Sequence, residues 1–382
     1  MAVEITPEEQ LHWVALHLTP GVGAIKSVEL IRRYRSPEAV FRAPTSEIEA
    51  CGIAGGAARS ITSGCTFDEA LQHVERLTAA GATLIPITHP LYPERLRAIY
   101  DPPLVLYAVG RAELLASPMV AVVGTRRPTP YGLAAAERLS GDLSRAGVTV
   151  ASGMARGIDT AAHRAALAAG GPTLAVFGCG VDEVYPAENR KLAAEIAAGG
   201  LLVSEFPMGS PAHPQNFPLR NRVISGLSAG VLVVEGAQYS GSAITARLGL
   251  DQGREVFAVP GNITSKLSWV PNLLIKQGAK LVQDVEDILV DLPACDQRRL
   301  PIFQKEAAAP SLDAIGPNGR IARKLMEGLP VDEAVHIDRL LESSVDFSSS
   351  EVIAALFELE LMGMVRQLPG RKYVKVWAAG EG

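Results

Sequence analysis

Between about Thr83 and Val290, short apolar runs alternate with helical patterns. The runs MVAVVG, VTVASG, TLAVFG, LLVSEF, GVLVVEG and EVFAVP have the length and composition of buried strands. Amphipathic stretches such as YGLAAAERLSGDLSRAG and NRKLAAEIAAG lie between most of them. Continuous apolar strands joined by helices form parallel sheets that are covered on both faces. The pattern therefore predicts an α/β fold with a Rossmann-like, doubly wound, mainly parallel sheet.

The segments on either side of this region have different patterns. In the N-terminal part, glycine turns that start at Gly21 and Gly52 each separate two helical stretches, which resembles a tandem helix-hairpin-helix (SAM-like) module. Near the C-terminus, HIDRLLESS and SSSEVIAALFELELMG predict helices and MVRQLPGRKYVKV predicts a hairpin, which together indicate a winged helix. We predict four segments: a helical module (1–78), the sheet domain (79–290), a linker (291–312) and a winged-helix domain (313–382).

The charge pattern of the winged helix argues against its usual function. Its second helix carries Glu351, Glu358 and Glu360 and has no lysine or arginine, so it would repel phosphates. The predicted wing carries the basic residues Arg366, Arg371, Lys372 and Lys375. This pattern favours protein contact over DNA contact for the domain, and whether the wing joins in DNA binding stays open.

Composition limits the class of protein. No apolar run approaches the ~18 residues of a membrane helix, and the first residues lack the layout of a signal peptide. The 4 cysteines form no C-x-x-C pair, which is typical of a reduced, cytoplasmic protein. The net charge is −5, but both ends are acidic while residues 79–312 are almost balanced. A polyanionic partner should therefore bind the middle of the chain.

In an open α/β sheet, ligands bind beyond the carboxyl ends of the strands. The loops after the predicted strands place small residues before helix starts, at Ser152-Gly153 and at Ser240-Gly241-Ser242, where free N–H groups favour anions. Phe217 offers a face on which a base could stack. The same loops contribute seven basic residues, which suit several phosphates in a row: Arg126, Arg127, Arg156, Arg190, Lys191, Arg220 and Arg222.

The turn after the first of these strands carries the clearest signal. A dinucleotide-binding turn would follow Gly124 with further glycines, whereas this chain continues with Thr125, Arg126 and Arg127. We interpret the turn as one that holds the backbone of a polynucleotide, with Arg126 on a phosphate. No reader of base edges is evident, so binding should be independent of sequence.

Several other polar residues have structural explanations. Asp159 and His163, four residues apart, suggest acid–base work or a metal site, but without a third ligand motif packing and capping are favoured. Glu205 and Glu235 follow strands where a catalytic carboxylate could lie, yet holding loop amides or arginines explains them equally well. No metal spacing or nucleophile–base pair accompanies these residues. The sequence therefore predicts no cofactor, no metal and no enzymatic activity.

The motifs taken together resemble the DprA/Smf family of DNA-processing proteins. The resemblance spans roughly residues 80–285 and rests on GTRRPTPYG, SGMARGIDTAAHRAAL, FGCGVDEVYPAENRKL, SEFPMGSPAHPQNFPLRNRVISGLS and VVEGAQYSGSAITARLGLDQGREVFAVPGN, followed by LLIKQGAKLV. It implies a bacterial, non-catalytic protein that binds single-stranded DNA. It also implies delivery of strands to the recombinase RecA during natural transformation, and a homodimer.

Carried over to this sequence, the family's DNA pocket comprises four stretches: Gly124, Thr125 and Arg126; Ser152, Gly153 and Met154; Phe217, Arg220, Asn221 and Arg222; and Ser240, Gly241 and Ser242. The family's dimer and RecA-contact surface corresponds to about Asn262 to Ala279. Members usually read Ser-x-Gly-x-Asn there, whereas this chain reads SKLSWVPN. The glycine is missing and Trp269 and Pro271 are added. The apolar run offers Trp269, Val270, Leu273 and Ile275 for a dimer interface.

Two other classes of function remain open. One is a Rossmann-like hydrolase of nucleoside monophosphates, although its P-G-G-x-G-T-x-x-E motif is absent and the corresponding turn reads EGAQYSGSA. The other is a protein adaptor without DNA binding, in which the acidic terminal modules contact proteins. Steep salt dependence of DNA affinity would distinguish a strand-binding protein from an adaptor.

Overall fold

The computed structural model describes residues 5–301, 319–330, 334–344, 346–361 and 364–375. The chain forms two compact units, Met1–Pro301 and Ile302–Gly382.

A nine-stranded sheet forms the centre of the first unit, in the order β1-β2-β6-β5-β4-β3-β7-β8-β9. All pairs from β6 across to β9 are parallel, while β1–β2 and β2–β6 are antiparallel. The strands are β1 (Thr83–Pro86), β2 (Val105–Gly110), β3 (Met119–Val123), β4 (Thr149–Ser152), β5 (Thr173–Phe177), β6 (Leu201–Ser204), β7 (Gly230–Val233), β8 (Glu255–Ala258) and β9 (Lys280–Leu281). The predicted doubly wound, mainly parallel fold is confirmed.

The helices of the first unit pack against this sheet or form the N-terminal module. They are α1 (Pro7–Leu18), α2 (Ala24–Tyr34), α3 (Pro37–Arg42), α4 (Thr45–Ala50), α5 (Gly55–Ser63), α6 (Phe67–Ala79), α7 (Glu94–Arg97), α8 (Pro130–Arg145), α9 (Ile158–Ala168), α10 (Arg190–Gly199), α11 (Asn216–Leu227), α12 (Gly241–Asp251), α13 (Trp269–Lys276), α14 (Glu286–Leu289) and α15 (Ala294–Gln297). From β3 the chain winds outward through β4, β5 and β6, and then returns to the other side of β3 with β7. The strand order therefore reverses beside β3, which is where α/β sheets form binding crevices.

The two N-terminal hairpins pack against each other reciprocally. Gly21 and Gly52 have φ angles of +78° and +75°, which favour glycine. A Cβ atom on Gly21 would lie 3.3 Å from Cβ of Ala57, and one on Gly52 would lie 3.3 Å from Nζ of Lys26. Lys26 and Ala57 each lie five positions after the glycine of their own hairpin, so the sequence repeat corresponds to a structural repeat.

The helical module and the sheet share one hydrophobic core. Buried Trp13 and Leu16 of α1 belong to the same cluster as Leu104 and Tyr107 at β2. His17 of α1 forms a hydrogen bond of 3.1 Å with the Tyr107 hydroxyl. The predicted boundary at residue 78 lies at the end of α6, shortly before β1, but both sides of it belong to one compact unit.

The start of the predicted linker is packed against the first unit. Leu300 is fully buried, and the Asp296 carboxylate accepts a hydrogen bond of 2.5 Å from Arg95. Residues 291–301 therefore belong to this unit rather than to a linker, because Leu292, Asp296 and Leu300 are buried. Residues 302–312 lie outside the described residues.

The second unit is the winged helix that the sequence predicts. It comprises α16 (Gly319–Gly328), β10 (Val335–His336), α17 (Ile337–Glu342), α18 (Ser349–Leu361), β11 (Val365–Leu368) and β12 (Lys372–Lys375). Its sheet has the order β10-β12-β11, and Val352, Leu356 and Leu359 of α18 lie in its core. Helix α16 completes that core, although its pattern was not singled out in the sequence.

Candidate nucleic-acid-binding cleft

A cleft lies at the carboxyl ends of β3, β4 and β5. Its lining residues are Arg126, Gly153, Ala155, Arg156, Tyr185, Pro186, Phe217 and Arg220. Three arginines and two aromatic rings thus meet at one edge of the sheet. Arg126, Gly153, Arg156, Phe217 and Arg220 are among the residues that the sequence predicted for a nucleic-acid site.

The loop after β3 is shaped by close contact with α9. A Cβ atom on Gly124 would lie 2.5 Å from Cγ1 of Ile158, and the Thr125 amide donates to the Glu235 carbonyl at 2.8 Å. Gly124 is therefore required for close packing against α9. The loop leaves Arg126 and Arg127 exposed, and Arg126 is the one of the two that lines the cleft.

Phe217 and Tyr185 form an aromatic pair beneath Arg126. The Arg126 Cζ atom lies 5.4 Å from the centroid of the Phe217 ring, and the two rings are 5.5 Å apart with an angle of 31° between their planes. A Cβ atom on Gly178 would lie 2.9 Å from the Phe217 ring, so this glycine makes room for it. Tyr185 is 47% exposed. The arrangement offers a cation beside aromatic faces, which suits a phosphate next to an unpaired base.

The loop after β4 satisfies its own hydrogen bonds. The amides of Gly153 and Ala155 donate to Oδ2 of Asp159 at 3.1 and 3.3 Å, and the Ser152 hydroxyl donates to the Val122 carbonyl at 2.6 Å. These groups are therefore not the free phosphate donors that the sequence suggested at Ser152 and Gly153. The reason is that Asp159, which is close in sequence but enters from α9, caps the loop.

Other residues around this loop also have structural roles. Met154 is fully buried at a φ of 59°, and its carbonyl accepts from Asn189 at 2.9 Å. His163 is buried, and its Nδ1 atom is 2.7 Å from the Thr173 hydroxyl. Burial raises the pKa of Asp159, although the positive Arg220 and the loop amides oppose this rise. The packing and capping interpretation of Asp159 and His163 is confirmed.

Arg220 is a buried residue that reaches the cleft from α11. Its Nη1 atom donates to the Gly153 carbonyl at 2.5 Å and also to the Val176 carbonyl, and Nε donates to the Asn221 side chain at 3.2 Å. Burial lowers its pKa to about 10. Arg220 thus joins the ends of β4 and β5 and supplies positive charge from below.

Arg222 lies outside the cleft, contrary to the sequence prediction. Two residues of α-helix rotate a side chain by about 200°, so Arg220 and Arg222 point in opposite directions. Arg222 pairs with Glu205 and, through Nε, with Asp101 at 3.2 Å. Burial raises the pKa of Glu205 to about 7.

Arg156 and Lys191 are exposed and already paired. Arg156 donates to both carboxylate oxygens of Glu188, at 2.7 and 2.8 Å. Lys191 of α10 lies 3.9 Å from Glu195, and it does not line the cleft.

The turn before α12 forms a separate helix N-terminus next to the loop after β3. The hydroxyls of Ser240 and Ser242 are 2.8 Å apart, and Gly241 is exposed between them. Ser240 caps the helix without a side-chain bond to its amides. The sequence prediction placed this turn in the same pocket as Arg126. In the structure the turn does not line the cleft.

Both carboxylates whose roles the sequence left open hold structural groups. Glu205 pairs with Arg222, as described. Glu235 is 2% exposed, and it accepts from the amide and the hydroxyl of Thr129 at 2.9 and 2.6 Å. Thr129 in turn caps α8, so Glu235 holds the start of that helix.

The residues predicted for a dimer interface differ in exposure. Trp269 of α13 is 42% exposed and Leu273, one turn later, is half-buried. Val270 is 2% exposed and Ile275 packs against the core, so Val270 stabilises the first unit and is not available to a partner. The apolar residues of α13 lie on both its buried face and its exposed face. The sequence alone did not show which of them face the core.

Tyr185, Pro186 and Ala155 line the cleft, but the sequence interpretation did not single them out. Tyr185 precedes Pro186 in the loop after β5, within the quoted stretch GCGVDEVYPAENRKL. An aromatic residue in a loop at the carboxyl end of a strand was the signal that could have identified it.

Comparisons with known proteins agree with this architecture. The family model for DNA recombination-mediator protein A matches residues 83–293, and the model for the DprA winged helix domain matches residues 305–371. Protein Smf of Escherichia coli is 41% identical over 296 residues, which cover 75% of this chain and 76% of that protein. Protein Smf of Synechocystis is 32% identical over 394 residues, covering 96% and 98% of the two chains.

Solved structures give the same result. The X-ray structure of DNA processing protein A from Streptococcus pneumoniae aligns with a TM-score of 0.67 at 32% identity, covering 76% of this chain and 99% of that one. The Helicobacter pylori protein, solved in work on its single-stranded DNA binding mode, aligns with a TM-score of 0.51 at 31% identity, covering 56% and 97%. The chain therefore belongs to the DprA/Smf family of DNA-processing proteins.

Neither a membrane-spanning helix nor a cluster of metal ligands occurs among the residues that the structure describes. None of their helices combines the length and the apolar character needed to cross a membrane. Among the same residues, no three histidine, cysteine or acidic side chains are grouped as they would be to hold a metal ion.

Proposed function

We propose that this protein binds single-stranded DNA without sequence preference, in the cleft formed by the loops after β3, β4 and β5. The observation that carries the proposal is the position of Arg126 over Phe217, with Tyr185 beside the ring. A base stacks on the aromatic pair while Arg126 takes the adjacent phosphate. In a duplex both faces of each base are already stacked, so the cleft selects unpaired strands.

Electrostatics support the same reading. Arg126 and Arg156 are exposed at the rim, and buried Arg220 adds positive charge beneath. The relative from Helicobacter pylori, whose solved structure concerns single-stranded DNA binding, shares this fold at 31% identity. Since no side chain in the cleft matches a base edge in an evident way, stacking and phosphate contact define the binding mode.

The bound strand is delivered to a RecA-type recombinase, and the protein acts as a homodimer without enzymatic activity in the cytoplasm. Family membership supports these assignments. The exposed Trp269 and half-buried Leu273 on α13 are the outer face that a dimer would bury. The segment 79–290 carries DNA binding, and the terminal modules contact proteins.

The surroundings of Glu235 disfavour the hydrolase alternative. Glu235 is the first residue of EGAQYSGSA, the turn that corresponds to the hydrolase motif. It accepts two hydrogen bonds from Thr129 and is 2% exposed. A carboxylate held in this way lacks the access to water and substrate that a general base needs.

Competition binding tests the proposed function. Labelled oligo-dT should bind the full chain, unlabelled single strands of any sequence should displace it, and duplex of equal length should compete at least tenfold more weakly. Equal competition by duplex, or no binding, would refute strand selection.

A further inference from the structure

Arg156, which lines the cleft, already holds an internal anion, Glu188. Its two carboxylate oxygens accept from Nε and Nη2 of Arg156 at 2.7 and 2.8 Å. Arginine forms the same two-pronged contact with a phosphate group. Glu188 therefore occupies the donors that a strand phosphate at this position would use.

The three arginines of the cleft differ in their partners, and Arg156 pairs with a carboxylate. Arg220 donates to the carbonyls of Gly153 and Val176, and Arg126 lies over the Phe217 ring. The side chains of Arg156 and Glu188 are 59% and 54% exposed, so water screens their attraction and the pair opens readily. The two residues come from different loops, after β4 and after β5. The Asn189 side chain joins the same two loops through the Met154 carbonyl at 2.9 Å, so the ion pair is not their sole link.

We propose that Glu188 is a specificity-determining residue that competes with DNA phosphates for Arg156. The inference rests on the proposed function of the cleft. A mononucleotide gains little by displacing Glu188, because it exchanges one anion for another. A strand that also engages Arg126 and the aromatic pair displaces Glu188 at little cost, so the pair favours polynucleotides over free nucleotides.

Removal of the Glu188 charge tests this role. In Glu188→Gln, short oligo-dT should bind roughly two- to fivefold more tightly than to the wild type, which is the range for an exposed ion pair. The slope of log affinity against log salt should become steeper by about 0.7, because Arg156 now neutralises a phosphate without releasing a carboxylate. AMP, used as an inhibitor of oligo-dT binding, should gain more than oligo-dT does, because the discrimination against free nucleotides is lost; an equal gain would contradict a role in specificity.

Glu183→Gln is the matched control, since Glu183 is exposed in the same loop after β5, whereas Arg156 pairs with Glu188. It removes one negative charge from the same region, so any general electrostatic gain appears there too. The gain in Glu188→Gln must exceed the gain in this control. Equal gains would overturn the proposal.

The Arg156→Ala background provides the decisive comparison. If Glu188 acts by competing for Arg156, the Glu188→Gln change should have no effect once Arg156 is absent. Weaker binding in Glu188→Gln alone would mean that Glu188 positions Arg156 for DNA, which contradicts competition. If the wild type fails to bind oligo-dT, the proposed function itself fails; if it binds through Arg126 while Glu188→Gln behaves as the control, only the present inference fails.

Discussion

The guanidinium of Arg126 lies over the ring of Phe217, with 5.4 Å between Cζ and the ring centroid. Arg126 follows β3 and Phe217 is the second residue of α11, so the contact joins residues about ninety positions apart in sequence. It places a positive charge and an apolar face at one point of the cleft. Arg126 and Phe217 should contribute differently to DNA binding. The contribution of Arg126 should depend on the salt concentration, and that of Phe217 should not.

Phe217→Leu should weaken oligo-dT binding by about 1–3 kcal/mol, which is the contribution of stacking one base. Leucine keeps an apolar side chain near Gly178, so the fold should be preserved. The salt dependence should not change, since no phosphate contact is lost. Fluorescence anisotropy at several salt concentrations measures both quantities, and a reduced salt slope in Phe217→Leu would contradict the stacking role.

Glu235→Gln should destabilise the protein by about 1–3 kcal/mol in urea unfolding. An amide has one acceptor oxygen, whereas the carboxylate accepts from both the amide and the hydroxyl of Thr129. Thr129→Ser, which retains the hydroxyl, should cost much less. AMP incubated with the wild type should remain intact, and AMP hydrolysis that disappears in Glu235→Gln would instead favour the hydrolase.

The pH dependence of stability should contain a contribution from His163. Burial, with a further effect of the Arg220 charge, lowers its pKa to about 3 in the folded protein, against 6.5 for an ordinary histidine. Between these values the unfolded chain binds a proton that the folded protein does not, so stability falls as the pH is lowered from about 6.5. His163→Asn, which can still donate to Thr173, should lose less Tm between pH 7 and pH 4.

Other buried groups act in acid as well, among them Asp159, whose pKa is raised by burial. The pKa of His17 is lowered to about 4 by burial, which adds to the loss of stability in acid. The raised pKa of Glu205, about 7, has the opposite effect, because the folded protein then retains a proton between about 4.5 and 7. Each variant is therefore compared with the wild type at every pH, and parallel curves for His163→Asn and the wild type would exclude His163.

Trp269→Arg should convert the proposed dimer into a folded monomer. An unpaired charge in an apolar interface costs on the order of several kcal/mol. Trp269 is 42% exposed, so this change disturbs the protomer less than one at Leu273 or Val270. Sedimentation measures the state, circular dichroism controls for folding, and an unaltered dimer would locate the interface elsewhere.

The sequence predicted the sheet, its winding and the winged helix, because apolar strands and amphipathic helices are set by local periodicity. It also identified Arg126 and Phe217, since loops at the carboxyl ends of strands converge in any such sheet. It did not identify which donors are free. The amides near Gly153 are bound by Asp159, and Arg222 turns away to Glu205, which are contacts that only the folded chain defines.

Helical and loop geometry explain the remaining differences. Val270 and Trp269 are adjacent in sequence, yet one is in the core and the other is exposed, because successive helical residues point about 100° apart. Tyr185 reaches Phe217 from a different loop, a proximity that no sequence pattern of either loop encodes. The candidate cleft was therefore predicted in its position and its charge, but not in its aromatic pair.

The most direct test of the central claim is a salt titration of oligo-dT binding to the wild type, Arg126→Ala and Arg127→Ala. Arg127 is exposed in the same turn but does not line the cleft, so it is the matched control. Arg126→Ala should weaken binding by about 1–3 kcal/mol and reduce the slope of log affinity against log salt by about 0.7, as expected for one lost phosphate contact. Arg127→Ala should change both quantities much less. Identical affinities and slopes for Arg126→Ala and the wild type, with the fold intact, would contradict DNA binding in this cleft.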